Sequence, residues 1–292
     1  MDADAGELLA GGYRNAVRRR RVGRQFFIDK QYAEDDGPPN PMYPNLPGSE
    51  AAALRVLGPS GLAPEFVAAP PGGVTYRYVA GPMWRPGRHA AIQDVARLLH
   101  RVHTTAPPAE LRRLHHTAAQ AAAHGDEMLA DIADISDIAD VAGPDSPAGV
   151  VRTIRPASPC TDAPRRPALV HTDCGPGNIV RARTGPVLID WQCPGVGDAV
   201  EDLVCFLSPA MMILYDCRPH SAAAVAAFLE AYPDRDVVAR HRRDATAWHY
   251  RIASYCAWRA VSLAEANPVV AERYRRALAA EVEHVTAGRV GG

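Results

Sequence analysis

The segment from Ala168 to Gln192 reads A-L-V-H-T-D-C-G-P-G-N-I-V-R-A-R-T-G-P-V-L-I-D-W-Q and interrupts two long helical blocks. Its Gly175-Pro176-Gly177 core can continue neither a helix nor a regular strand. Two strand-like pieces, Ile179 to Arg183 and Pro186 to Asp190, flank a Thr184-Gly185 turn and are expected to pair as a hairpin. Folding about that turn sets Asn178 opposite the Asp190-Trp191 end, where facing side chains stand about 5 Å apart. The chain must therefore fold so that a small β element, with polar residues gathered at one end, lies between helices.

Those polar residues suggest chemistry. A carboxylate and an amide oxygen in one small space are hard ligands that suit Mg²⁺, whose octahedron is usually completed by water and phosphate oxygens. Asp173 precedes Asn178 by five residues, and a carboxylate on such a loop can orient a hydroxyl and accept its proton. Singly, Asp173 could cap a turn, Asn178 pair with backbone and Asp190 cap a strand end. The joint spacing favours a shared role.

The first eighty or so residues read as a small antiparallel sheet with one helix. Arg14 to Val22 and Gln25 to Tyr32 flank a Gly23-Arg24 turn, and Val74 to Val79 is a further strand. Alternation puts Phe26, Ile28 and Lys30 on one face. Lys30 is the sole lysine among 32 basic residues, and on that face it needs an anionic partner. Glu50 opens a helix to Leu57, stopped by Gly58-Pro59. It can serve as that partner, or simply favour the helix N-terminus through the dipole.

From Arg88 the pattern is helical, with Ile92, Val95, Ala96, Leu99 and Val102 on one buried face. A second helical stretch runs from about Glu110 to Asp140 with a break point at His124-Gly125. Its Asp126, Glu127, Asp131, Asp134, Asp137 and Asp140 form either a solvated face or a lure for a cationic ligand. Asp198 and Glu201 have the spacing of a capping box. Helices resume at Ser221, interrupted at Pro233 and Pro268. Trp248, Tyr255 and Trp258 share a helix face, as core or as a cation–π cage.

Composition removes several function classes. The 292 residues carry a formal net charge of -1, which argues against a broad basic face for nucleic acid. Strand alternation splits the Arg18 to Arg21 run between two sides. Six cysteines without a C-x-x-C pair argue against zinc and fit a reducing compartment. Met1 to Leu9 does not read as a signal peptide, and the apolar window Leu203 to Tyr215 is too short to span a bilayer. A cytoplasmic protein without nucleic-acid or membrane partners is expected.

His171-x-Asp173-x-x-x-x-Asn178, followed by Ile189-Asp190-Trp191-Gln192, resembles the catalytic and metal-binding segments of the aminoglycoside phosphotransferase and choline kinase family. The resemblance implies an α+β, bilobal, protein-kinase-like fold. Residues 1–81 would form a nucleotide-binding lobe with a small antiparallel sheet and one helix, and residues 82–292 a larger, mainly helical catalytic and substrate-binding lobe. It extends to Gly11-Gly12-Tyr13-Arg14-Asn15 at the phosphate loop, Lys30 on the third strand, Glu50 on the first helix, and Tyr78-Val79-Ala80-Gly81 at the hinge.

By the resemblance, Asp173 is the catalytic base and Asn178 and Asp190 hold Mg²⁺. Lys30, held by Glu50, contacts phosphate; Gly11, Gly12, Asn15, Tyr78 and Ala80 contribute to the nucleotide site; and His171 and Asp202 brace the catalytic loop. Gly11-Gly12 lacks a full G-x-G-x-x-G, and Gln192 stands where many relatives carry a second acid. The activity implied is ATP- and Mg²⁺-dependent phosphorylation of a hydroxyl on a small molecule. The acceptor would be an amine-bearing metabolite (choline-, ethanolamine- or thiamine-like) or an aminoglycoside, with Trp248, Tyr255 and Trp258 as substrate contacts. The alternative is a non-catalytic nucleotide- or metabolite-binding protein on the same fold. The acceptor, ATP versus GTP, one or two metal ions, the oligomeric state and a metabolic versus resistance role stay open at this level.

Overall fold

A computed structural model describes residues 7–9, 15–33, 40–87, 89–135 and 143–290. Its N-terminal part is a five-stranded antiparallel sheet of order β1-β2-β3-β5-β4, with β1 at Glu7–Leu8, β2 at Ala16–Val22, β3 at Gln25–Gln31, β4 at Phe66–Ala68 and β5 at Gly73–Arg77. The β2–β3 hairpin turns at Gly23-Arg24 as expected, with Gly23 in the left-handed region at φ 60°. Strands β1 and β4 are short and lack an alternating pattern, so periodicity does not reveal them.

Helix α1, Pro47–Leu57, starts three residues before Glu50, with a proline in its first turn, where a missing N–H costs nothing. The sheet face carrying Ile28, Lys30, Val74 and Tyr76 is buried with Ala53, Leu54 and Leu57 of α1 in one core. The arginine run divides as its alternation requires. Arg19 and Arg21 lie over Phe26 on one face, while Arg20 pairs with Asp29 at 2.7 Å on the other.

The C-terminal part is mainly helical. Helices α2 (His89–Thr104), α3 (Ala118–Ile135), α4 (Pro147–Arg152), α5 (Val200–Leu207), α6 (Pro209–Leu214), α7 (Ala222–Ala231), α8 (Arg235–Ser262) and α9 (Pro268–Val290) surround two small sheets. One pairs β6 (Ala168–Val170) with β9 (Gly195–Gly197), and the other pairs β7 (Ile179–Ala182) with β8 (Gly185–Leu188). Ile92, Val95, Ala96, Leu99 and Val102 are buried along α2, as their spacing predicts. Ser221 caps α7, Asp234 caps α8 after Pro233, and Pro268 opens α9.

Three expectations are corrected. The helix expected from Glu110 begins at Ala118 and runs through His124-Gly125 unbroken, because a Cβ at Gly125 would lie 2.7 Å from the Tyr250 ring of α8. This glycine admits a neighbour rather than ending a helix. Asp198 and Glu201 do not close a capping box. Asp198 accepts from the Val200 amide at 3.0 Å and pairs with Arg240 at 2.8 Å, whereas Glu201 is held by Arg251 at 2.6 Å. The β7–β8 hairpin turns at Arg183-Thr184, so Ile189, not Trp191, faces Asn178 and donates its N–H to the Asn178 carbonyl at 2.9 Å.

Candidate active site

The loop from His171 to Asn178 leaves β6 and returns as β7, and the buried Asp202 of α5 fixes its start. One carboxylate oxygen of Asp202 accepts the His171 N–H and the other the Thr172 N–H, each at 2.8 Å. These bonds hold Thr172 at φ 72°, a left-handed conformation costly for a β-branched residue. Burial alone would raise the Asp202 carboxyl. The His103 ring at 3.1 Å and the loop amides instead hold it below its ordinary value.

His171 is fully committed to the loop. The Asp173 N–H donates to its Nδ1 at 3.2 Å, so Nε2 carries the proton and donates to the Ile189 carbonyl at 2.9 Å. Burial lowers its pKa, and the ring meets Trp191 edge-on at 4.5 Å. With both nitrogens engaged, His171 is a brace and has no site left to take a proton from a substrate.

Asp173 is half-buried. Its carboxyl is pushed up to about 7 by burial first and then by the Asp190 charge, against the pull of Tyr215 and Asn178. The Asn178 Nδ2 donates to the Asp173 carbonyl at 2.8 Å, to its carboxylate at 3.1 Å and to the Tyr215 hydroxyl at 3.1 Å. The two N–H protons of the amide are shared among these three acceptors, which leaves the oxygen as the end available to a cation. Asp190 follows Ile189 at φ 61°, a turn of the backbone that takes its carboxylate off the hairpin, half-exposed, to Lys30.

Lys30 is 3% exposed and bridges two acids. Its Nζ donates to Glu50 Oε2 at 2.9 Å and to Asp190 Oδ1. Burial alone would lower the Lys30 pKa, but the two carboxylates raise it. Glu50, wholly buried, is itself raised by burial, and it also accepts the Tyr32 hydroxyl. Glu50 therefore both stands in the first turn of α1 and pairs with the lysine.

Asp190 and Asn178 supply two hard oxygens, and no cluster of three or more His, Cys, Asp or Glu able to hold a metal occurs among the described residues. That donor set fits Mg²⁺, which takes one or two protein oxygens and fills its remaining positions from phosphate and water. It does not fit a metal that needs an all-protein cage.

Other anticipated residues fall elsewhere. Gly11 and Gly12 lie outside the described residues. The Asn15 amide is engaged at both ends by the chain, donating to Asn45 and Gln192 at 3.1 Å each and accepting the Ala33 N–H at 3.1 Å. Tyr78 gives its N–H to the Phe26 carbonyl, and Ala80 is exposed. Trp248, Tyr255 and Trp258 are 2%, 4% and 5% exposed and form no open cage. Arg251 lies over Trp248 at 6.0 Å, Arg259 over Trp258 at 5.9 Å, and Tyr43 packs edge-on against Tyr255. Their helical spacing is that of core. In the acidic stretch Asp126 pairs with Arg155 at 2.6 Å and accepts the Tyr250 hydroxyl, while Asp131 is exposed. Asp137 and Asp140 lie outside the described residues.

Sequence reasoning missed Tyr32, His103 and Tyr215. Tyr32 continues the alternation through Ile28 and Lys30 and could have been found that way. His103 and Tyr215 reach the site from remote helices with no local signal.

Residues 6–241 match the model of the phosphotransferase enzyme family. Among solved structures the chain is similar to a choline/ethanolamine kinase family protein from Mesorhizobium loti, at 18% identity and a TM-score of 0.62 over 97% of this chain and 87% of that one. It is similar to the choline kinase LicA from Streptococcus pneumoniae at 16% identity and a TM-score of 0.62, over 95% and 94%. It is also similar to a spectinomycin phosphotransferase in complex with ADP and spectinomycin, at 13% identity and a TM-score of 0.64 over 98% and 94%. At these identities the likeness is one of fold, the kinase-like α+β arrangement of a sheet-bearing N-terminal part and a helical C-terminal part. No curated protein sequence matches the chain.

Proposed function

This chain belongs to the phosphotransferase enzyme family, and on that premise we propose that it is a small-molecule kinase that moves the γ-phosphoryl group of ATP to an acceptor hydroxyl. The observation that carries this reading is the buried Lys30 ammonium tied to both Glu50 and Asp190, with Asp190 close enough to Asp173 to raise its carboxyl. A phosphoryl group needs a cation at its oxygens and a carboxylate at the incoming hydroxyl, and positioning with charge stabilisation does most of the work.

In this reading Lys30, steadied by Glu50, meets the phosphates, with Gly11 and Gly12 in the phosphate loop. Asp190 and the Asn178 oxygen hold Mg²⁺, which when bound neutralises phosphate charge. Asp173 aligns the acceptor hydroxyl and takes its proton, a task for a carboxylate held on the loop by Asn178 and Tyr215. His171 and Asp202 hold the loop that presents it. Residues 1–81 serve as the nucleotide-binding lobe and residues 82–292 as the acceptor lobe. No described helix is long and apolar enough to cross a membrane, and a cytoplasmic kinase is the reading we adopt.

The acceptor class is an amine-bearing alcohol of the choline, ethanolamine or thiamine kind, or an aminoglycoside. The test is ADP release from Mg²⁺-ATP across choline, ethanolamine, thiamine, aminoglycosides and aminosugars, with Asp173→Asn as control. Acceptor-dependent release that falls by about 10²–10⁴ in the control is expected. Tight Mg²⁺-ATP binding without release to any acceptor would overturn catalysis in favour of a nucleotide-binding role.

A further inference from the structure

Tyr215 stands just past the C-terminal end of α6, far in sequence from the loop it touches. Its aromatic ring lies directly on Gly175 and Gly177. A Cβ built at Gly175 would fall 2.3 Å from Tyr215 Cε2, and one at Gly177 would fall 2.2 Å from Cδ1. Real Cβ atoms do not approach ring carbons so closely, so the two glycines form a seat that only this residue type leaves open.

The turn that carries the ring is held from several directions. Asp216 adopts φ 55°, the Cys217 N–H returns to the Met212 carbonyl at 2.8 Å, and Arg85 Nη1 donates to the Tyr215 carbonyl at 2.6 Å.

The seat delivers the hydroxyl to one place. The Tyr215 oxygen accepts from Asn178 Nδ2 at 3.1 Å, and its own proton points to Asp173, whose two carboxylate oxygens lie at 3.3 and 3.4 Å. Asn178 independently reaches one of those oxygens at 3.1 Å. A carboxylate on two rotatable bonds needs more than one fixed donor to define the plane it presents. Asn178 alone would fix one oxygen and leave the plane free to rotate about it, whereas a hydroxyl that faces both oxygens, sharing one proton between them, restricts that rotation.

We propose that Tyr215 is a positioning residue for Asp173: seated on Gly175 and Gly177, it relays the Asn178 amide to the carboxylate and sets the face shown to the acceptor hydroxyl. The assignment rests on the phosphotransferase reading above, in which Asp173 meets the acceptor. In this assignment Tyr215 acts on the acceptor through the Asp173 carboxylate, whose oxygens its hydroxyl faces. Small errors in such alignment are costly, since a misplacement of about 1 Å can lower a rate by about 10².

The test is Tyr215→Phe, which keeps the ring on its seat and removes only the hydroxyl. Two readouts are taken. One is a crystal structure of the variant beside the wild type, read at the Asp173 carboxylate. The other is kcat and KM for Mg²⁺-ATP with the acceptor panel named above. The expected result is a carboxylate rotated or split between conformers, with kcat down about tenfold and the KM for Mg²⁺-ATP unchanged.

A carboxylate that stays in place overturns the proposal whatever the rate does, as does an unchanged kcat in an active enzyme. The two readings fail separately. A wild type that releases no ADP to any acceptor, alongside a variant whose carboxylate has moved, removes the phosphotransfer reading and keeps Tyr215 as the residue that orients Asp173.

Discussion

Lys30 holds a charge that its surroundings cannot easily lose. Glu50 is wholly buried, and its cation is the ammonium at 2.9 Å. Removing one partner of a buried pair leaves the other charge uncompensated, whereas replacing both costs far less. Lys30→Met is therefore expected to lower stability by about 3–5 kcal/mol, and Lys30→Met/Glu50→Gln to recover most of that loss. Urea unfolding of the two variants decides it, and equal losses in both would rule out the uncompensated charge as the cause. The pair was legible in the sequence because alternation along β3 marks Lys30 as inward-facing and a lone helix follows with an acid in its first turn. Asp173, Asn178 and Asp190 were legible through spacing within one short segment. Tyr215 contacts Asp173 across 42 positions and His103 contacts Asp202 across 99, and no local pattern encodes a contact made only by packing.

Helix α3 shows how a local rule yields to a neighbour. Glycine in a helix interior ordinarily costs about 1 kcal/mol against alanine, so Gly125→Ala should stabilise an isolated α3. In the folded chain the new methyl would stand 2.7 Å from Tyr250 Cε1 and 3.0 Å from Ser254 Oγ, both on the long helix α8. Overpacking of that kind costs about 1–3 kcal/mol, enough to reverse the sign. Gly125→Ala is expected to be destabilising, and a gain in the urea midpoint would show that α3 and α8 can separate freely. The β7–β8 hairpin makes the same point about register. Its existence was legible from the turn residues, but the turn sits one residue earlier than Thr184-Gly185. Ile189 then pairs with Asn178, and Asp190 comes free at the hairpin end, where Lys30 meets it.

At the scale of the whole molecule, burial lowers His115, His124 and His241 in the helical part, and this ties global stability to pH. Burial, then the neighbouring His249, Arg242 and His284, lower His241 from 6.5 to about 3, and neither of its ring nitrogens has a hydrogen-bond partner among the described residues. Burial likewise lowers His115 to about 3 and His124 to about 4, with Arg251 adding to both. Between the folded value and 6.5 the unfolded chain binds more protons than the folded one. Stability from each group is therefore complete above its unfolded pKa and drains away as pH falls below it. For His241 alone the loss by pH 5 is about 2 kcal/mol relative to neutral pH. His241→Leu replaces the imidazole with an apolar side chain of similar size and has no such titration. The fall in unfolding free energy between pH 7.5 and pH 5 should be smaller in the variant by about 2 kcal/mol, measured by urea unfolding at each pH. If wild type and variant fall by the same amount, His241 already takes up its proton in the folded chain, and the acid sensitivity belongs to His115 and His124 beside Arg251.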